Sequence, residues 1–529
     1  MMHRRTLLRT AATSALALPG LSLPGLARAA SATTLRFIPV IDLAFTDPIF
    51  STAQVSRNHG FMVFDTLYGI NSKLEVSPQM LEGHRVEADG KLWNLTLRPG
   101  LLWHDGDPVL AKDCVASIRR WARRDAFGGA LMAATDEVSA PDDRTIRFRL
   151  RRPFPLLPQA LGKAAIQACF MMPERLAATD PFKQIPEVIG SGPFRFRADE
   201  RVPGARNVYE RFERYVPRQE TADWTAGGKV VHYDRVEWTT MPDAATGASA
   251  LQSGEQDWQE ATPHDLLPLL RRDRNLRIRV LDPRGFNCIL QVNHLQPPFN
   301  NPAIRRALWG AVDQEAFMMA VAGENPEFHH SPAGFFCPGT PMASEAGLEP
   351  LKGARDLDRV KRDLAAAGYN REKVVVLIPA DSLAQKPLGD VAADMFRQPG
   401  MNVETVSLDF ASVLTRRNRR DPVEQGGWSA VAANWQGIDW LNPAGHLTLQ
   451  GEGAYPGWYR SERIPALRDQ WLAAGELAEQ QRICREIQQA AMEEVPFYPI
   501  GQYFQPSVHR AAITGIGDGT AVFWNVRPA

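Results

Sequence analysis

The spacing of apolar and polar positions divides most of this chain into alternating strands and helices. Residues 92–97, LWNLTL, place Trp93, Leu95 and Leu97 on one face, which predicts a strand with one buried side. Residues 144–150, RTIRFRL, repeat the pattern with Ile146, Phe148 and Leu150, and 230–238, VVHYDRVEW, predict a third strand. Cys288 to Val292, CILQV, is a short apolar run between polar neighbours, as in a buried strand. In NNPAIRRALWGAV, Asn301 is placed to cap a helix and Pro302 suits its first position. Ile304, Ala307, Leu308, Ala311 and Val312 then form one apolar stripe. A second helix runs from Asp358 through Val360 and Leu364 to a stop at Gly368, and KVVVLIP at 373–379 predicts a strand. Residues 481–494 place Ile483, Ile487, Ala490 and Ala491 on one helix face, Pro496 ends that helix, and the FYPI that follows is strand-like. Such alternation predicts α/β layers with partly parallel sheets. No repeat or low-complexity linker interrupts it, so domains should share several chain crossings rather than hang on one tether.

Length makes the picture multi-domain, since 529 residues exceed one ordinary core. Sixty basic residues balance 60 acidic ones, and no basic surface for nucleic acid is expected. The N-terminus changes the picture more. Arg4, Arg5 and Arg9 precede an apolar run that ends in Ala27-Arg28-Ala29, the pattern of a cleaved export signal over 1–29. The arginine pair followed by Thr6-Leu7-Leu8 is similar to a twin-arginine signal. Export without a later apolar span of 18 residues predicts a soluble periplasmic protein, and no cysteine follows the cleavage site to carry a lipid. The remaining cysteines, Cys114, Cys169, Cys288, Cys337 and Cys484, lack zinc-site spacing and read as small buried apolar residues.

One stretch invites a chemical reading, His104-Asp105-Gly106-Asp107. The local pattern favours a structural one. Pro99-Gly100 and Asp105-Gly106 are turn pairs, and Asp113 precedes an amphipathic run as a helix N-cap.

The same stretch, KLWNLTLRPGLLWHDGDPVLAKDCV, resembles a segment of the family 5 solute-binding proteins of ABC importers, the peptide and nickel binders. GSGPF at 190–194, QSGEQD at 252–257, QVNHLQPPFNNPAIRRAL at 291–308, DLAAAGY at 363–369 and EIQQAAMEEVPFYPI at 486–500 resemble further family segments, in order along the chain. The resemblance implies an α/β fold of the periplasmic-binding-protein type II class, with two hinged lobes and an inserted third domain. It implies a first lobe from 30–62, 187–285 and 500–529, an inserted domain at 63–186 and a second lobe at 286–499. It also implies a small-molecule or peptide ligand held between closing lobes, delivery to ABC permease subunits in the inner membrane, a monomer, no cofactor and no catalysis.

For the ligand site, NWQGIDWLNPAGHL at 434–447 resembles the family's W-x-x-D-x-x-D-P segment, with one extra residue after the tryptophan and Asn442 in place of the second aspartate. By that resemblance Asp439 takes the ligand's α-ammonium, and Trp435 and Trp440 are walls or cation–π faces. Asn442 and His446 lie in the same stretch, and Phe45 and Thr46 lie where the first-lobe loop meets ligand. His446 raises the alternative of nickel or a metallophore, although one imidazole makes no metal site by itself. Sugars and opine-like solutes are further alternatives. His329-His330 reads as a surface loop, and RRNRR at 416–420 as a solvated helix end. The class furthest from binding is a secreted hydrolase. No GxSxG, HExxH or P-loop supports it, and only a pair of carboxylates meeting in space would.

Overall fold

A computed structural model describes residues 33–529. The expected export signal at 1–29 lies outside the described residues. No described helix is long and apolar enough to cross a membrane.

Two large sheets organise the molecule. The first has seven strands in the spatial order Phe194–Phe196, Arg206–Arg211, Arg235–Thr239, Thr34–Ile38, Trp258–Gln259, Pro506–Arg510 and Leu276–Val280. Thr34–Ile38 runs parallel to both neighbours, and its Phe37 ring packs against Trp258 and Phe523, each at 4.9 Å. The second has six strands, His329–His330, Phe497–Tyr503, Phe286–Val292, Ala430–Gln436, Lys373–Pro379 and Asn402–Leu408. Phe286–Val292 is flanked on both sides and buried from Asn287 onward, which explains its unbroken apolar run. A separate antiparallel sheet of Leu81–Glu87, Leu92–Leu97, Thr145–Leu150 and Thr135–Ser139 packs against the Ala111–Trp121 helix.

The chain passes between the two large sheets twice, at 281–285 and at 504–505. The passages lie side by side. Gln502 Nε2 donates to Arg284 O at 2.7 Å, Phe286 stacks on Tyr503 at 5.1 Å, and Gly285 leaves no room for a Cβ, which would meet Tyr503 O at 2.4 Å. The break expected between 499 and 500 falls inside the Phe497–Tyr503 strand. That strand stays with the second sheet, because its ladder to Phe286–Val292 continues to Tyr503.

Local expectations met three further corrections. Asp113 is not an N-cap. It sits in the first turn of the Ala111–Trp121 helix, and its carboxylate reaches back to Leu110 N at 3.0 Å while also accepting from Glu174 N at 2.9 Å. The strand expected at 230–238 begins only at Arg235, where pairing to Thr34 starts. His329-His330 is a short strand paired with Tyr503 and Gln502 rather than a loop.

The His104 turn holds two distant segments of the chain together. His104 Nε2 lies 3.0 Å from Gly192 O, and the His104 amide donates to Gly190 O at 2.9 Å. Burial drives its pKa down to about 4, so this imidazole is neutral at pH 7. Gly190 and Gly192 press on the end of the Gln54–Val63 helix, where a Cβ on Gly190 would meet Val63 O at 2.1 Å. Two of the sequence segments that carry the family resemblance, distant along the chain, are therefore one contact.

Candidate functional site

The seam between the two sheets is closed by side chains from three parts of the chain. The Ala430–Gln436 strand of the second sheet turns directly into a short 3₁₀ segment, Gly437–Trp440. Gly437 permits this turn to lie against the first crossing, since a Cβ there would meet Arg284 O at 2.2 Å. The turn presents Gln436 and Asp439 to the seam.

Asp439 is buried at 7% exposure. Its Oδ1 accepts from Ile166 N at 3.0 Å, a contact that bridges the second sheet's domain to the 163–169 segment. Burial raises its pKa, and the nearby Arg57 cation and the Ile166 N–H oppose the rise. Facing it from the Gln54–Val63 helix is Arg57, at 1% exposure. One Arg57 nitrogen, Nη1, donates to Gln436 Oε1, whereas Nε and Nη2 have no hydrogen-bond partner. Burial lowers the guanidinium's pKa, and Asp439 is the largest charge working against that shift. Among the described residues, Arg57 forms no ion pair within 4.0 Å.

The other acids nearby are occupied. Glu260 accepts from Gln54 Nε2 and Asn58 Nδ2, each at 2.6 Å, and from Val40 N at 3.0 Å. Asp282 takes the Arg284 Nε–H at 2.6 Å. Beside them is a cavity of about 40 Å³, lined by residues that include Gln54, Glu260, Asp282, Phe286 and Gln436. That is room for a water or two, so the seam is closed as it stands.

The residues singled out from sequence separate into groups. Asp439 is in the seam. Trp435 lies on the strand leading to it, half-buried, with its ring 6.1 Å from Tyr455 and its buried Nε1–H without a partner. Trp440 is core. It stacks on His446 at 4.3 Å and packs on Phe497 at 5.6 Å, so it offers no wall to the seam. His446 is sealed, with Nε2 2.8 Å from Phe335 O and Nδ1 3.2 Å from Thr448 Oγ1. Burial takes its pKa down to about 3, and with both nitrogens engaged it is a structural imidazole. Asn442 shapes its own turn, accepting from Ala444 N at 3.1 Å and Gly445 N at 3.2 Å. Phe45 is 37% exposed and packs on Phe50, and the Thr46 carbonyl faces His59 Nε2 at 3.1 Å. In RRNRR, Arg416 caps Gly427 O and Arg417 lies over the Tyr455 ring at 5.4 Å, so that cluster is only partly solvated.

Arg57, Gln436 and Glu260 escaped the sequence reading. The one available signal is the polar run Ser56-Arg57-Asn58-His59 in a helix that is buried from Val55 to Val63. An amphipathic surface helix would have alternated instead.

The model of bacterial extracellular solute-binding proteins, family 5 Middle, matches residues 75–455. A probable peptide ABC transporter periplasmic-binding protein, y4tO of Sinorhizobium fredii, is 37% identical over 518 residues, covering 96% of this chain and 97% of the relative. The glutathione-binding protein GsiB of Pectobacterium atrosepticum is 22% identical over 89% of this chain and 88% of its own. Among solved structures, the Helicobacter pylori periplasmic binding protein DppA in complex with the peptide STSA superposes with a TM-score of 0.78. It is 20% identical, with 94% of this chain and 98% of that one covered. AgaA of A. tumefaciens R10 in complex with agropinic acid superposes with a TM-score of 0.76, also at 20% identity, covering 94% and 99%. At such identity these two establish the fold, the α/β periplasmic-binding-protein type II architecture. The family match over most of the chain, together with the 37% relative, places the chain among the family 5 bacterial extracellular solute-binding proteins.

Proposed function

We propose that this protein is the periplasmic component of an ABC importer, that it captures an oligopeptide or a related amine-bearing solute between its two lobes, and that it hands the solute to the membrane permease as a monomer. The passages at 281–285 and 504–505 act as the hinge. Asp439 takes the ligand's ammonium, and Trp435 flanks it.

The observation that carries this reading is Asp439 itself. A carboxylate buried in a seam between domains, held by one backbone N–H and by no salt bridge, is costly unless something cationic arrives. A ligand ammonium would meet it in a low dielectric, where the pair is worth most. Closure follows the same logic, because a solute that touches both lobes binds the closed form better and shifts the population toward it. The name of the 37% identical relative supports a peptide as cargo. His446, with both ring nitrogens engaged, supplies no ligand for the metallophore alternative.

A calorimetric and thermal-shift screen of di- to hexapeptides tests the reading. Binding should raise the melting temperature by mass action on the folded state. Asp439→Ala should cost an amine-bearing peptide roughly 2–5 kcal/mol of affinity. Peptides that bind equally well with and without this carboxylate would remove Asp439 from the site. No peptide binding at all would remove the peptide.

A further inference from the structure

Arg57 poses a separate question. Its guanidinium is buried at 1% exposure, and of its three nitrogens only Nη1 is used, on Gln436. The two without partners, Nε and Nη2, are the edge of the guanidinium that presents two parallel N–H groups, the fork that matches both oxygens of a carboxylate. No protein carboxylate fills it. Glu260 is saturated by Gln54, Asn58 and Val40, Asp282 is held by Arg284, and Asp439 lies beyond ion-pair distance. Yet Arg57 and Asp439 are close, because Gln436, which Arg57 touches, is three residues from Asp439 across one tight turn. Two opposite charges therefore face one another across a closed seam without meeting, one on each lobe.

We propose that Arg57 and Asp439, once the lobes part, receive between them an α-amino-acid head, a group whose ammonium and carboxylate stand on one carbon, with the carboxylate on the Arg57 fork and the ammonium on Asp439. This rests on the reading of Asp439 as the ammonium partner and narrows the solute class. An ordinary peptide separates its terminal ammonium from its terminal carboxylate by at least one further residue, about 3.5 Å of extended chain each. A γ-glutamyl-linked peptide keeps both charges on one carbon at its head and trails the rest of the molecule away. Each charge then replaces lost solvation with a charge-assisted contact, and the ligand ties the two lobes through both.

The test uses two isomers of equal composition and charge, γ-glutamyl-alanine and α-glutamyl-alanine, with the γ isomer amidated at its α-carboxylate as a third probe. Calorimetry on the full mature chain is expected to show the γ isomer binding at least roughly tenfold tighter than the α isomer, and amidation erasing that advantage. Arg57→Met should bring the γ isomer to the level of the α isomer while leaving the α isomer within about threefold. Arg57→Lys keeps the charge without the fork, so it should reduce the preference as well, and it serves if the methionine variant fails to fold. Isomers within threefold of one another on the wild type would overturn the inference, as would an Arg57→Met loss shared equally by both. Binding of γ-linked peptides that needs Asp439 but not Arg57 would sink this inference alone. Failure of every peptide, in either linkage, would sink the Asp439 reading and this one with it.

Discussion

Two buried aspartates, Asp47 and Asp439, each face a buried arginine, and the two pairs are built differently. Asp47 and Arg120 meet at 2.6 Å with side chains at 0% and 1% exposure. A second contact joins them at 3.3 Å, Arg120 also donates to Thr179 O and Lys183 O, and Asp47 accepts from Ile49 N and Ile185 N. Every strong donor and acceptor there has a use. Lys229 and Asp65 repeat the design at 2.7 Å, with Tyr215 Oη donating to the same carboxylate. Asp439 and Arg57 are as deeply placed, yet they do not touch, and two of the three guanidinium nitrogens are unused. Burial alone does not distinguish a structural charge from one kept for a ligand. Saturation does, since a buried group whose partners are complete gains nothing from a newcomer.

The largest effect that would sharpen this contrast is on stability. Arg120→Ala leaves the Asp47 carboxylate buried beside only backbone N–H groups, and should cost about 3–5 kcal/mol in denaturant unfolding. Arg57→Met removes a cation that has no ion pair, and its melting temperature is expected to be unchanged or raised. If the two variants were destabilised alike, the distinction between saturated and unsaturated pairs would be lost.

A smaller effect is on pH. Burial raises the Asp439 pKa above the ordinary carboxylate value, although Arg57 and Lys163 pull it down, and Glu260 is raised in the same way. A raised acid pKa in the folded state means that the folded protein binds the proton more readily than the unfolded chain does. Ionised Asp439 is therefore a cost to stability above its folded pKa, and that cost is relieved as pH falls through it. Ligand binding has the opposite sign, because an ammonium needs the carboxylate charged. Affinity for an amine-bearing peptide should begin to fall at a higher pH than an ordinary aspartate would cause, and Asp439→Asn should flatten that limb. Calorimetry from neutrality down through the carboxylate range measures both. An unchanged profile in the variant would mean that another group, Glu260 foremost, controls the acid limb.

Much of the framework was legible in the sequence because it is periodic. Leu92–Leu97 alternates half-buried and buried along its whole length, and Lys373–Pro379 occupies the stretch its apolar run marked. The helix with Val360 and Leu364 inward runs Leu357–Ala366, one residue earlier at its start than its pattern marked, because Asp356 caps it by accepting from Arg359 N. The stretch proposed to meet ligand was legible only as a stretch. Its segment resemblance located Asp439 but not the division of labour around it. Trp440 and His446 stack on one another in the core, a choice fixed by Phe335 and Phe497 from elsewhere in the chain. Arg57 had only its buried polar run as a local signal, because its meaning comes from Gln436, 379 positions away.

The smallest effect should come from the turn that first looked like chemistry. Asp105 orders its own turn by accepting from Asp107 N at 3.2 Å, and pairs with Arg175 at 2.9 Å across a partly exposed surface. Solvent screens such a pair, so its loss is worth at most about 1 kcal/mol. Asparagine preserves the acceptor oxygen that the turn uses, and Gly106, at φ +101°, keeps the backbone bend regardless. Asp105→Asn is therefore expected to leave peptide affinity unchanged in calorimetry and to lower the melting temperature only slightly. The neighbouring His104, bound to the 190–192 loop that presses on the helix carrying Arg57, gives the turn one route to the seam. An affinity loss in Asp105→Asn approaching that of Asp439→Ala would mean that this route transmits to the site, and that the saturated and unsaturated regions are not independent.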